Sequence, residues 1–401
     1  MAEQRDTISI LPELQLKNLT KFFNTAFHLD IPLAIWRHPE EKSINGIAQL
    51  ENIEFPERLE SAGEGFLFNP FEIDGSLPKH FISADIFYKS DEGTISPNPR
   101  KHLNANKTDA FFESLNNEEF TDFKNKLSKA PILKESKNEF IDLVNQCKKL
   151  IKSGAYQKIV PARQSQFSLK EDFNPIQEFL ALVNTYTHAF ISLVYIPDYG
   201  LWIGATPELL ISLDKNSQFE TVSLAGTQGV PEDFNLSNAS WRQKEIEEQA
   251  LVSRYIINCF KKIRLREFEE YGPKTVKAAN LIHLKTTFKV NIDEVNFPEL
   301  ASVMLDLLHP TSAVCGMPME KAARFIKENE TPDRQYFSGH LGPVNINNEI
   351  KIFVNLRCAR IYKDSGIVFA GAGVTEDSDA ESEWNETQIK FQTLLNIIGI
   401  K

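Results

Sequence analysis

The order of strand-like and helix-like segments constrains this chain more than any other feature. Strand-like runs at 189–196, 208–213 and 219–224 follow one another without a predicted helix between them. Parallel strands need long crossover connections, usually helical, whereas antiparallel strands can be joined by short turns. The sequence therefore predicts an α/β protein of the α+β type, with mainly antiparallel sheets and helices packed on their outer faces.

Capping boxes predict the first residues of two helices. Ser136 is followed three residues later by Glu139, and Ser378 by Glu381. In this pattern two side chains satisfy free N–H groups at a helix start. Gly154 predicts the end of the first helix, and the second is expected to run to about residue 398. We also predict helices from about residue 240 and over 319–327, and strands over 157–163, 281–290, 351–362 and 367–372.

Charge and apolar run length exclude two classes of partner. The net charge is −11 and the pI is about 5.4. A protein whose main partner is nucleic acid needs a basic surface. No apolar segment approaches the ~18 to 20 residues that span a membrane. We therefore expect a protein that works without nucleic acid and without a membrane.

The cysteines and the amino terminus favour a cytoplasmic protein. The first residues lack the basic-then-apolar pattern of a signal peptide. The cysteines lie far apart and form neither a CxxC metal motif nor a dense disulfide framework, so we expect each to be a small core residue. They are Cys147, Cys259, Cys315 and Cys358.

Two charged residues stand out because each lies against an apolar, strand-like run. Lys158 precedes Ile159 and Val160. Such a lysine is either exposed on an edge strand or a desolvated amine that can act as a general base. Glu208 follows a Thr-Pro turn and precedes two leucines. It is either a solvated turn carboxylate or an acid kept protonated by apolar surroundings, able to protonate a leaving group.

Two predicted helices carry carboxylates three residues apart. Glu245 and Glu248 share one helix face, as do Glu383 and Glu386. Each pair alone is consistent with an ordinary solvated face. If both faces met at one cavity, their oxygens would suit Mg²⁺, which keeps several waters and needs only one or two carboxylates.

Other polar residues lie in apolar or glycine-rich surroundings. Arg357 alternates with apolar strand residues and either faces solvent or pairs with a carboxylate ligand. The stretches 224–229 and 370–373 allow close backbone approach to a ligand, but neither has the GxGxxG pattern of a dinucleotide site. His283 and His309 are each consistent with a core or a catalytic histidine.

These pieces, in this order, resemble the chorismate-utilising enzymes over residues 136–401. The motifs are Lys158-Ile-Val-Pro-Ala-Arg163, Gly204-Ala-Thr-Pro-Glu208, Leu224-Ala-Gly-Thr227, Lys244-Glu-x-x-Glu248, His283-Leu284, Leu308-His-Pro-Thr-Ser-Ala313, Tyr336-x-Ser-Gly339, Arg357-Cys-Ala359, Ala370-Gly-Ala-Gly373 and Glu383-x-x-Glu386-Thr-x-x-Lys390. The resemblance implies one large domain with two sheets packed face to face. Residues 1–135 would be its variable N-terminal part, and 136–401 the chorismate-binding catalytic region.

The residue types within the motifs imply the reaction. Family members that add ammonia have Gln at the position of Lys158, and those that add water have Lys. A further branch has a nucleophilic Lys at the position of Ala225. The resemblance thus implies an isochorismate synthase, which adds water at C2 of chorismate while the C4 hydroxyl leaves, for menaquinone or catecholate siderophore biosynthesis. Salicylate synthase is the first alternative; an anthranilate synthase component and a non-catalytic chorismate-binding paralogue are less favoured.

The resemblance also implies roles for individual residues. Lys158 would be the base and Glu208 the acid. Mg²⁺ would be bound through Glu248 and Glu386, supported by Glu245 and Glu383. The implied substrate-binding residues are Ala225, Gly226, Thr227, His283, His309, Tyr336, Arg357, Gly371, Ala372, Gly373 and Lys390. We expect a monomer that needs no glutamine amidotransferase subunit.

The chain departs from the family pattern at two positions. Gln249 stands where a His is common. Pro161 lies within the predicted Lys158 strand, which indicates a bulge or a strand edge, since proline cannot donate to a strand ladder.

Overall fold

Strands fall into two large sheets and one small one, and every strand pair among the described residues is antiparallel. A computed structural model describes residues 11–71, 75–116, 123–133, 136–230, 234–278, 281–331 and 333–399. The first sheet has nine strands, in the order β6 (Thr94–Pro97), β5 (Ile86–Lys89), β2 (Ile44–Ala48), β1 (Leu33–Arg37), β9 (Phe190–Ile196), β10 (Gly200–Thr206), β18 (Cys358–Ile361), β19 (Ser365–Gly371) and β8 (Ala162–Ser168).

The second sheet has eight strands and faces the first. Its order is β13 (Glu269–Ala278), β14 (Leu281–Asn291), β12 (Gln218–Gly229), β11 (Leu209–Leu213), β17 (Ile350–Val354), β16 (His340–Val344), β3 (Gly65–Asn69) and β4 (His80–Ser83). The small sheet pairs β7 (Lys158–Ile159) with β15 (Gly316–Met317). This architecture confirms the predicted fold class.

Helices cover the outer face of each sheet. Helices α1 (Glu13–His28), α2 (Ala105–Leu115), α4 (Pro175–Thr185) and α8 (Ala380–Ile398) pack on the first sheet. Helices α5 (Gln243–Lys262) and α6 (Leu300–Leu308) pack on the second, whereas α3 (Lys137–Lys152) and α7 (Met319–Asn329) contact the small sheet, α3 at β7 and α7 at β15. Alternate strand residues point to opposite faces, so each sheet has one face toward helices and one toward the other sheet.

Aromatic residues fill the space between the two sheets. Phe190 of the first sheet stacks on Phe353 of the second, with ring centroids 4.2 Å apart. Trp36, Phe66 and Trp202 belong to the same buried cluster. Aromatic side chains bury large apolar areas, so this layer holds the two sheets at a fixed separation.

Most predicted elements are present, and the details that differ are one helix cap and two segments that were each predicted as a single strand. Helix α3 begins as expected, because Ser136 Oγ accepts a hydrogen bond from the Glu139 N–H at 3.2 Å. The last helix is capped by Asp379 rather than Ser378; the Ser378 hydroxyl instead accepts from the Thr375 N–H. The predicted strand 351–362 is two strands, β17 and β18, which lie in different sheets.

Two short crossovers carry the chain from one sheet to the other. Pro207 and Glu208 lie between β10 and β11, and residues 355–357 lie between β17 and β18. The crossovers run side by side, because the Ala205 N–H donates to the Arg357 carbonyl and the Val354 N–H to the Glu208 carbonyl, both at 2.9 Å. Glu208 and Arg357 are thereby placed together between the sheets.

The cysteines agree with the expectation from the sequence. All four cysteines are buried, with free thiols, which confirms that they are core residues. Within the described ranges, no helix combines the length and the apolar character required to cross a bilayer.

Candidate active site

A cavity of about 140 Å³ opens where the two crossovers meet helices α5 and α8. It brings together most of the residues singled out from the sequence, although they come from distant parts of the chain. The predicted residues that line it are Glu208, Ala225, Gly226, Glu245, Glu248, His283, Arg357, Gly371, Gly373, Glu386 and Lys390.

Lys158 lies beside this cavity and is paired with a carboxylate. Its ammonium donates to Glu248 Oε1 at 2.7 Å, and its side chain is only 2% exposed. The predicted edge-strand position in water is therefore wrong, and the buried position is correct. Gly373 makes room for this pair, since a Cβ there would lie 2.9 Å from Lys158 Cε and 3.3 Å from Glu248 Oε1.

Pro161 ends the short strand that carries Lys158. The segment predicted as one strand is split into β7 and β8, with residues 160–161 between them. On one side of β7, the Val160 N–H donates to the Cys315 carbonyl at 3.0 Å. On the other side, Ile159 and Val374 exchange backbone hydrogen bonds of 3.2 and 2.8 Å. Lys158 is therefore held by backbone contacts on both sides.

A second lysine–glutamate pair lies on α8. Lys390 Nζ contacts Glu386 Oε1 and the Gly371 carbonyl oxygen, each at 2.7 Å. Burial alone would raise the pKa of Glu386, but the ammonium of Lys390 holds it below its usual value. Burial would likewise raise the pKa of Glu248, but the ammonium of Lys158 holds it below its usual value. Both carboxylates are therefore ionised at neutral pH.

The remaining two carboxylates differ in their surroundings. Glu383 is buried, and burial followed by the charge of Glu386 raises its pKa. Lys244 approaches Glu383 Oε1 at 3.4 Å. Glu245 completes the first turn of α5, where its Oε2 accepts from the Arg242 N–H at 2.9 Å.

Glu208 is an acid of the site whose pKa is clearly raised. Burial raises its pKa to about 7, against the opposing charges of Lys158, Arg357 and Lys390. A substantial fraction of this carboxyl group is therefore protonated at neutral pH, as a general acid requires. The buried guanidinium of Arg357 lines the same cavity and makes no hydrogen bond to another described side chain or backbone group. It is available to an anionic ligand.

Two neighbouring strands, β12 and β14, form another wall of the cavity. A bulge interrupts β12 between Ala225 and Thr227. Gly226 has φ +67°, and a Cβ there would lie 3.1 Å from the Cβ and the carbonyl oxygen of Glu245. Glycine thus allows β12 to approach the first turn of α5. His283, on β14, is kept neutral because burial and then Arg357 lower its pKa to about 4.

The structure places two predicted substrate-binding side chains away from the cavity. Tyr336 is packed in the aromatic layer between the sheets, where its ring stacks on Phe68 at 4.5 Å. His309 lines a different cavity and packs against His340, with ring centroids 4.5 Å apart. Their motifs reach the site through following residues instead, because Phe337, Ser338 and the segment 313–314 line it.

The last two predicted substrate-binding residues are Ala372 and Thr227. Ala372 is buried, and its N–H donates to the Pro161 carbonyl at 3.0 Å, so it supports the wall without lining it. The side chain of Thr227 lies outside the described residues; only its backbone pairing with His283 is given.

Sequence reasoning missed Lys244, Glu330 and Arg334. Lys244 directly precedes the first carboxylate of its motif and could have been included on that ground. Glu330 and Arg334 carry no local signal, since one ends helix α7 and the other lies in the following loop. Arg334 nevertheless lines the cavity and contacts Glu330.

The carboxylates fit a hard divalent cation by the chemistry of their donors. Glu245, Glu248 and Glu386 line one cavity from two facing helices, and the buried Glu383 Oε2 has no hydrogen-bond partner among the described residues. Within those residues, no three His, Cys, Asp or Glu side chains form a ready-made ligand cluster. Mg²⁺ needs only one or two carboxylates plus waters, so the donor set suits it.

Comparisons with known proteins show which proteins this chain is similar to. Isochorismate synthase EntC of Escherichia coli K12 is 31% identical over 212 residues, which are 52% of this chain and 53% of EntC. Isochorismate synthase MenF of Bacillus subtilis is 28% identical over 359 residues, 84% of this chain and 74% of that protein. The matched segment thus spans about half the length of EntC.

A solved structure confirms the fold. The structure of MenF, the menaquinone-specific isochorismate synthase from Escherichia coli, superposes with a TM-score of 0.74 at 19% identity, covering 96% of this chain and 91% of that one. A family model described as chorismate binding enzyme matches residues 81–399, most of the chain. The chain therefore belongs to the chorismate-binding enzyme family.

Proposed function

We propose that this protein is an isochorismate synthase, an isomerase that interconverts chorismate and isochorismate with Mg²⁺. The observation that carries the proposal is a glutamic acid of raised pKa, Glu208, in the wall of a cavity, with a buried lysine, Lys158, beside it in contact with the lining residue Glu248. Moving a hydroxyl group from C4 to C2 needs a base for the incoming water and an acid for the departing hydroxyl. The names of the relatives support the same activity.

Glu208 is the proposed acid. Its carboxyl group lies at the crossover between the sheets, in the wall of the cavity. Because its pKa is about 7, it can hold a proton at neutral pH and donate it to the C4 hydroxyl group. The ionised form then recovers a proton from solvent before the next turnover.

Lys158 is the proposed base. Its Nζ is held by Glu248 Oε1 at 2.7 Å, and it acts as a base in its neutral form, after the ammonium proton has passed to solvent. The buried position keeps bulk water away from the amine, so one bound water can be deprotonated as it attacks C2. The position of Gly373 against Lys158 Cε leaves the amine little freedom to move.

Arg357 and Lys390 are the proposed anchors of the enolpyruvyl carboxylate. The Arg357 guanidinium offers a planar pair of donors that matches a carboxylate. The proposed Mg²⁺ ligands are Glu248 and Glu386, with Glu245 and Glu383 in support. A cation bound there would neutralise and orient the ring carboxylate.

The experiment is incubation with chorismate and Mg²⁺, with products resolved by chromatography. Isochorismate is the expected product, and Lys158→Ala should form none while still binding chorismate, because the lysine is not assigned to a substrate carboxylate. Conversion by Lys158→Ala at the wild-type rate would place the base elsewhere. Failure of the wild-type protein to convert chorismate would refute the proposed function.

Salicylate synthase is the second candidate from the sequence, since it forms isochorismate and then eliminates pyruvate. A coupled lactate dehydrogenase assay detects pyruvate and separates the two activities. We expect no pyruvate, in line with the isochorismate synthase names of the relatives. Ammonia-dependent formation of a fluorescent product would instead indicate anthranilate synthesis.

We further propose that residues 1–135 and 136–401 are parts of one domain. Strands β1 to β6, from the first part, lie in both large sheets beside strands from the second part. A monomer that acts without an amidotransferase subunit, and a cytoplasmic location, stay predictions from the sequence. Menaquinone and catecholate siderophore biosynthesis both remain open as the pathway that the product enters.

A further inference from the structure

We propose that Glu330 and Arg334 are positioning residues that fix the strand carrying Lys158. The inference deepens the proposed function, on which it rests for the role of the lysine. The two side chains form a buried pair, 5% and 3% exposed, that joins the end of α7 to the following loop. We call this pair the clamp.

The contacts of Arg334 are directed at backbone carbonyls. Its Nη2 donates to the Val160 carbonyl at 2.5 Å, and its Nη1 to the Val314 carbonyl at 2.7 Å. Its Nε and Nη2 also donate to the two oxygens of Glu330, at 2.7 and 2.5 Å. Because a guanidinium has five N–H groups, these contacts leave little capacity for a substrate anion. Arg334 therefore holds the wall of the cavity rather than the ligand.

Glu330 extends the clamp to the other side of Pro161. Its Oε1 accepts the Ala162 N–H at 2.8 Å. The clamp thus binds the Val160 carbonyl before the proline and the Ala162 N–H after it, where the chain passes from β7 to β8. Proline has no N–H group, so the backbone between β7 and β8 is held by contacts from other parts of the chain.

Lys158 lies two residues before Val160, in the segment that the clamp binds. Arg334 also ties Val160 to Val314, just before the strand that pairs with β7. Loss of these contacts would let the β7 backbone shift and move the Lys158 amine relative to Glu248. A displacement of about 1 Å in a reacting group can reduce the rate about a hundredfold.

Buried charges with this many hydrogen bonds also stabilise the fold, so stability alone cannot test the role. Arg37 offers a matched control. It is 1% exposed and donates to the carbonyls of His38, Tyr186 and Thr187 at 2.8, 2.5 and 2.7 Å, but it does not line the cavity. Both Arg37→Lys and Arg334→Lys keep the charge and lose the guanidinium fork.

The experiment compares Arg334→Lys, Glu330→Gln and Arg37→Lys. Chorismate binding by calorimetry gives the number of competent sites and the Kd, and kcat is expressed per competent site. We expect Arg334→Lys to lower kcat about tenfold or more with Kd within about twofold, and Glu330→Gln to do so less. Arg37→Lys should lower only the thermal midpoint.

A second readout does not depend on the reaction. Acetylation of Lys158 by acetic anhydride, followed by peptide mass spectrometry, should be several-fold faster in Arg334→Lys than in the wild type and in Arg37→Lys. Unchanged kcat per site and unchanged labelling in both clamp variants would overturn the inference, as would a large rise in Kd with kcat unchanged. If the wild type converts no chorismate, the proposed function fails, and the labelling still decides whether the clamp positions the lysine. If Arg334→Lys does not fold, Glu330→Gln decides by the same criteria.

Discussion

Glu208→Gln should make the folded protein more stable at alkaline pH and leave it nearly unchanged at acid pH. The folded state holds this carboxyl group at a pKa of about 7, against an ordinary value of 4.5, chiefly because it is buried. Ionisation is therefore harder in the folded chain than in the unfolded chain. The glutamine side chain has nearly the same shape and does not ionise.

The sign and size follow from linkage between protonation and folding. Below pH 4.5 the carboxyl group is protonated in both states and contributes no pH dependence. Between 4.5 and 7 the unfolded chain ionises first, so the wild type loses stability as the pH rises. At about 1.4 kcal/mol for each pH unit between the two pKa values, the loss reaches roughly 3 kcal/mol and stays constant above pH 7.

The assay is calorimetric unfolding of metal-free protein in EDTA from pH 4.5 to 8.5. The thermal midpoint of Glu208→Gln should rise relative to the wild type across this range, and Glu54→Gln, which removes an exposed carboxylate, controls for net charge. The amide can alter local hydrogen bonds equally at every pH, so only the part of the difference that grows with pH tests the reasoning. A difference between variant and wild type that does not change with pH would refute the reasoning.

Three further results are expected. Glu248→Gln and Glu386→Gln should each abolish turnover over a full Mg²⁺ titration, since each removes a charged oxygen ligand; full wild-type activity in excess EDTA would contradict this. Gly373→Ala, which places a methyl group 2.9 Å from the Cε of the buried lysine, should lower kcat about tenfold, unlike Gly63→Ala, whose Cβ meets nothing within 4 Å. The wild-type kcat/KM should fall above about pH 7 as Glu208 ionises. If the residual kcat/KM of Glu208→Gln falls over the same pH range, Glu208 is not the acid.

Local sequence signals predicted elements well where a short-range cause sets them. The Ser136 capping box predicts the start of α3, and apolar spacing predicts its buried face. The same signals failed where two local options compete. Ser378 and Asp379 are both good capping residues, and the structure uses Asp379, while the Ser378 hydroxyl bonds to Thr375.

Motif order identified most of the cavity residues, but it could not give their pairing. Lys158 and Glu248 were assigned separate roles, although their side chains are in contact. Tyr336 and His309 belong to the motifs, yet their rings pack elsewhere. A motif indicates that a segment of the chain passes near the site. Which of its side chains points into the cavity, however, depends on the path of the backbone. Glu330 and Arg334 had no sequence signal for this role because, apart from their contact with each other, they bond to backbone groups distant in the sequence.

Strand and helix signals along the chain are enough to predict the antiparallel, helix-covered architecture, and residue types give the chemical groups available for acid–base and metal chemistry. How these groups meet depends on three-dimensional packing. The segment 351–362 has uniform strand character in the sequence, but it leaves one sheet for the other at Arg357, whose φ is +46°. That break is imposed by the neighbouring crossover at Glu208 and by the packing of two sheets, which are interactions between residues some 150 positions apart. Burial between the sheets then sets the raised pKa of Glu208, because desolvation depends on what surrounds a group in space rather than along the chain.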